Sequence, residues 1–77
     1  MDIAQKTAEI MSLVLNRPVS ETDEVSMATE AEWTSLKHIE IIVTLEEEFD
    51  ISFKPADIPL LISREKLTEK IASLLEG

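Results

Sequence analysis

Residues 34–49, TSLKHIEIIVTLEEEF, carry the strongest periodicity in the 77-residue chain. Thr34 is a good helix N-cap, because its hydroxyl can accept an N–H that the first turn leaves without an intrahelical partner. Ile39, Ile42, Leu45, Glu46 and Phe49 then share one side at about 3.6 residues per turn. That spacing predicts an amphipathic helix with this side toward a core. Leu36 and Val43 fall roughly 100° or more from the centre of the stripe, flanked by Glu40 and Glu47. The helix therefore has a second, mixed face, with two apolar residues between two acids.

Working outward, Asp2 can cap a first helix, with Gln5 as its capping-box partner. Ile3, Thr7, Ile10, Met11 and Val14 follow at helical spacing. Asn16-Arg17-Pro18 ends that helix, because Asn favours helix ends and proline disfavours helix in the residue before it. Residues 16–34 show no sustained period and read as a long loop, which Val19, Val25, Met27 and Trp33 can pin to the core. A loop of that length in a compact domain is often functional. Downstream, Pro55 can open a helical turn and Pro59 keeps it short. Ser63 can cap a last helix with an apolar stripe of Leu67, Ile71, Leu74 and Leu75. No segment alternates with period two. The expectation is one all-α domain over residues 1–77, a small four-helix bundle with three main helices, a short third helix and a long first loop.

Composition narrows the function. Hydrophobic residues make up 44% of the chain and Gly is a single residue, which places it among globular rather than disordered sequences. There is no cysteine, so a disulfide scaffold, a cysteine zinc site and a thiol nucleophile are excluded. No apolar run exceeds three residues, too short for a membrane span or a signal-peptide core. A soluble, cytoplasmic monomer is expected. Residues 18–53 hold ten acids and one base, Lys37, so the whole net charge of −9 sits in that segment. Such a charge opposes nucleic-acid binding and suits basic protein partners.

Catalytic constellations are sparse. Ser35 and His38, the only histidine, are three apart on one helical face, but no glycine-rich oxyanion loop accompanies them. No enzyme activity is expected, and His38 is expected half-buried at the edge of the core face. Glu46-Glu47-Glu48 with Asp50 lacks the glycine turn of a calcium loop, and consecutive helical residues diverge, so no metal site is expected. Ser35 has a sharper reading. It follows a long acidic loop and opens an acidic helix, where a helix N-terminus favours an attached phosphate. The residues alone leave it equally a second cap or a modification site.

The stretch Trp33-Thr34-Ser35-Leu36-Lys37-His38-Ile39-Glu40, continuing through Leu45-Glu46-Glu47-Glu48-Phe49-Asp50-Ile51, resembles the attachment region of acyl carrier proteins. The resemblance spans nearly the whole chain and is similar to the discrete, standalone members of that family. It implies that Ser35 carries 4′-phosphopantetheine, delivered from coenzyme A by a phosphopantetheinyl transferase. The arm's thiol then holds an acyl or aminoacyl cargo as a thioester. The family has an aspartate before the serine where this chain has Thr34. Threonine still caps the helix, but a charge for the transferase's basic surface is missing.

The resemblance also implies loading and biosynthetic enzymes of fatty acid or polyketide type as partners. They would dock on Leu36, Glu40, Val43 and Glu47 beside Ser35. A different class of function fits the acidity equally: a helical adaptor that binds a basic partner without a prosthetic group. The Ser35-Leu36 opening with its downstream run separates the two, since an adaptor has no need of it.

Overall fold

The computed structural model describes residues 2–76. The element order is α1 (Ile3–Leu15), α2 (Ser35–Phe49), a single 3-10 turn (Ile58–Leu60) and α3 (Arg64–Glu76). Among the described residues there is no strand, only one isolated antiparallel bridge between Ser26 and Ser63. The protein is all-helical, as the periodicity predicts. The segment after Phe49 differs in detail from the expected short helix. Residues 55–57 form a turn, and helical geometry is confined to the 3-10 turn that contains Pro59. Two prolines four residues apart remove two N–H donors, so no α-helical ladder can propagate there.

Each α-helix begins on a side-chain oxygen. Asp2 Oδ1 accepts from Gln5 N–H (3.2 Å), Thr34 Oγ1 from Lys37 N–H (3.3 Å) and Ser63 Oγ from Lys66 N–H (3.1 Å). α1 and α2 end on left-handed residues, Asn16 (φ 55°) and Asp50 (φ 53°). Their N–H groups close back onto the carbonyls of Ser12 and Glu46. Asn and Asp tolerate this conformation better than other side chains, and they stand in for the usual glycine.

α1 is the element against which both α2 and α3 pack. Met11, Leu15, Ile41, Leu45, Leu67 and Ile71 are fully buried, so every α-helix contributes to one core. The connections add Val19, Val25, Trp33, Phe53 and Leu61, with Met27 partly buried against them. Thr7 is also fully inside, and its hydroxyl oxygen has no partner among the described residues.

The long loop is pinned along its length. Ser12 Oγ accepts from Val19 N–H (2.9 Å), and Arg17 pairs with Glu30. Met27 N–H donates to Ile62 O and Arg64 N–H to Val25 O, both at 2.9 Å. Lys6 joins α1 to α2 through Glu48 at 2.9 Å. That hydrogen bond and the negative charges of Glu48 and Glu9 raise the Lys6 pKa.

The apolar stripe of α2 is turned relative to the expected one. Its buried residues are His38, Ile41, Ile42, Leu45 and Phe49. Ile39, expected in the core, is 51% exposed, and His38, expected half-buried, is only 6% exposed. At the end of α3, Leu75 likewise faces solvent while Leu67 and Ile71 are buried.

Candidate functional site

Ser35 is the first residue of α2 and is exposed. Of the two roles its sequence position allows, capping falls to Thr34, whose φ of −85° and ψ of 174° aim its hydroxyl at the first-turn N–H groups. No acid lies in the first turn of α2.

Beside Ser35 the helix leaves an apolar strip open to solvent. Leu36 is 70% exposed, Ile39 51% and Val43 45%. Glu40 and Glu47 are exposed with them. The four outer-face residues expected from the sequence therefore do lie together on the solvent side of α2, and Ile39 is a fifth member that the sequence reading missed. The signal was present: His38, Ile41, Ile42, Leu45 and Phe49 form the cleaner i, i+3, i+4 stripe once a histidine is allowed inside, and that phase turns Ile39 outward.

The carboxylates of α2 differ in how they are engaged. Glu46 Oε2 accepts from Phe53 N–H (2.8 Å) and so holds the chain after the helix. Glu48 is taken by Lys6. Glu40 has only Lys37, at 3.8 Å, and Glu47 has no ion pair among the described residues. The charge left on the outer face is thus that of Glu40 and Glu47. The triplet 46–48 points three ways, and among the described residues no group of three metal-capable side chains converges. In the acidic loop, hydrogen bonds from the Ser20 N–H and hydroxyl, with help from the charges of Arg17 and Arg64, hold the Asp23 carboxyl below its ordinary pKa.

His38 is not brought to Ser35 as a base. Trp33 Nε1–H donates to its Nδ1 (3.1 Å), and its Nε2 bonds the carbonyl of Ile58 (2.9 Å). Both ring nitrogens are occupied, so the pair a hydrolase would need is not formed. An open hollow of about 650 Å³ lies elsewhere, between α1 and the loop, lined in part by Ala8, Glu9, Leu13 and Val19. Among the described residues no helix is long and apolar enough to cross a membrane. No protein-family model matches the chain, and no curated protein matches it.

Proposed function

We propose that the chain is a carrier protein of the acyl carrier type, with 4′-phosphopantetheine attached to Ser35. The observation that carries this reading is the exposed Ser35 hydroxyl, relieved of capping by Thr34, at one end of an open strip of Leu36, Ile39 and Val43 edged by Glu40 and Glu47. The residues present fit the group. An exposed hydroxyl on the first residue of a helix with no acid in its first turn gives a phosphodiester an electropositive place. Attachment forms a bond from Ser35 Oγ to the pantetheine-bearing phosphorus of coenzyme A and breaks the pyrophosphate P–O bond. Adenosine 3′,5′-bisphosphate leaves, and the hydroxyl proton passes to the transferase. The arm supplies the thiol chemistry, and this chain supplies placement and recognition.

In this reading the 3-10 turn at Ile58–Leu60 takes the place of the short third helix of a four-helix bundle. The protein works as a cytoplasmic monomer for fatty acid or polyketide biosynthesis, without catalysing a step itself. Leu36, Glu40, Val43 and Glu47 receive basic docking surfaces of the transferase and of acyl- or aminoacyl-loading enzymes.

Incubation with coenzyme A and a broad-specificity phosphopantetheinyl transferase tests the reading by intact mass. The wild type is expected to gain one phosphopantetheine group and Ser35→Ala none. The variant should remain folded, since an exposed residue that is not the cap costs well under ~1 kcal/mol when changed to alanine. A wild type that gains no mass leaves the acidic adaptor as the better account.

A further inference from the structure

A buried polar chain spans Ser35 on both sides. Trp33, two residues before it, is 2% exposed, and His38, three residues after it, is 6% exposed. Their side chains are joined by the 3.1 Å bond from the indole N–H to Nδ1, with ring centroids 5.7 Å apart. This bond reaches across the segment Thr34-Ser35-Leu36-Lys37 and clips it from both ends. The backbone tightens the same segment, since Trp33 N–H donates to Glu30 O (3.1 Å) and His38 N–H to Thr34 O (2.8 Å). On its other side the imidazole reaches Ile58 O at 2.9 Å, the first carbonyl of the 3-10 turn.

Donor and acceptor chemistry fixes the form of the ring. An indole N–H only donates and a carbonyl only accepts, so Nδ1 is bare and Nε2 carries the proton. His38 stands where the spacing calls for an apolar residue, in line with Ile41, Ile42, Leu45 and Phe49. A buried imidazole without partners is costly there, and this one has both. An apolar side chain would fill the site but would tie neither Trp33 nor Ile58. Helix ends fray, and Ser35 is a helix end.

We propose that His38 is a positioning residue: the Trp33–His38–Ile58 chain holds the first turn of α2 against the 3-10 turn and so fixes where the Ser35 hydroxyl stands for phosphopantetheine transfer. This rests on the reading of Ser35 as the attachment point. His38 is buried and offers almost no surface to an incoming enzyme, so its effect on the reaction would come through the placement of Ser35.

The test measures transfer from coenzyme A over a series of carrier concentrations for wild type, His38→Leu, His38→Gln and Trp33→Phe. Thermal melts followed by circular dichroism and NMR exchange of the Trp33 indole N–H accompany it. Trp33 is the single tryptophan, so that signal is unambiguous. His38→Leu is expected to lower kcat by about tenfold or more with KM for the carrier within about twofold, the pattern of a misplaced reacting group rather than a lost docking contact. Its indole N–H should exchange faster. His38→Gln can accept from the indole through its carbonyl and donate to Ile58 O through its amide, and should restore most of kcat and of the indole protection.

A folded His38→Leu with wild-type kcat overturns the proposal, and so does a change confined to KM. Should His38→Leu not fold, Trp33→Phe keeps an aromatic ring, removes the donor and is judged by the same criterion. A wild type that gains no mass removes the carrier reading and this proposal together. A wild type that is modified, with clip variants modified equally fast, removes this proposal alone.

Discussion

On its inner side α2 sets His38, Ile41, Ile42, Leu45 and Phe49 against the core; on its outer side it sets Leu36, Ile39, Glu40, Val43 and Glu47 in water. Three of the five outer residues are aliphatic, and one of the five inner residues is a histidine. Side-chain hydrophobicity therefore does not decide which side is buried. The companions of each residue do. Burying Leu36, Ile39 and Val43 would desolvate Glu40 and Glu47, whose only ion pair among the described residues is the loose one from Lys37 to Glu40. Burying His38 leaves no polar atom unmet, because Trp33 and Ile58 satisfy both ring nitrogens. Glu46 lies at the border and is settled by the Phe53 N–H.

Substitutions along this gradient should separate the two sides. The largest effect belongs to Leu45→Ala, which leaves a cavity at a fully buried position and should cost about 2–5 kcal/mol. Leu36→Ala on the outer side should cost less than about 0.5 kcal/mol. Urea midpoints measure both, and a Leu36→Ala loss near that of Leu45→Ala would erase the distinction between the faces.

Next comes the border. Glu46→Ala removes a charge-assisted acceptor from Phe53 N–H but also relieves an acid near a helix C-terminus, for a net loss of about 1 kcal/mol. Equal stability of the variant and wild type would move Glu46 to the outer side.

The smallest effect on stability, within about 0.5 kcal/mol, is expected for Glu40→Gln with Glu47→Gln. On the carrier reading proposed above, that pair should instead weaken binding to a phosphopantetheinyl transferase at low salt and flatten the salt dependence, while Leu36→Ala weakens binding at every salt concentration. Titrations across a salt series distinguish the two. Unchanged affinity in all three substitutions would shift docking to the acidic loop of residues 20–32.

Local signals in the chain were enough to place the helices. Asp2, Thr34 and Ser63 act as the caps their positions suggest, and Asn16 stops α1 in the left-handed region. The exposure of Ser35 was legible from its place at a helix start, and that of Leu36, Glu40, Val43 and Glu47 because they lie away from the core in both the expected and the observed phase. The phase of α2 was not. With Leu36, Ile39, Ile41, Ile42, Val43 and Leu45 around most of its circumference, the stripe could be centred in more than one way. A local stripe for the observed phase exists only once a histidine is allowed inside, and what makes that histidine admissible is a set of long-range partners, Ile58 for His38 and Phe53 for Glu46, which lie beyond the helix. Asp50 as a left-handed stop and the pairing of Ser26 with Ser63 were hidden for the same reason, since both depend on where the chain must go next.

The Ser26–Ser63 pairing also makes the chain between those residues a closed loop in the polymer sense, with α2 and the 3-10 turn inside it. Closure entropy grows only logarithmically with contour length, by roughly 0.6 kcal/mol for each doubling. Extra residues added inside such a ring are therefore cheap wherever the backbone is not already committed. Phe53 is committed by its bond to Glu46 and Asp57 by its ion pair with Lys70, while Lys54, Pro55 and Ala56 between them are exposed and share a single backbone bond, Asp57 N–H to Lys54 O at 2.9 Å. A short tag or spectroscopic label inserted at residues 54–56 would give up that one turn bond and lengthen the ring without opening it, leaving the registration of α2 to the contacts that already set it.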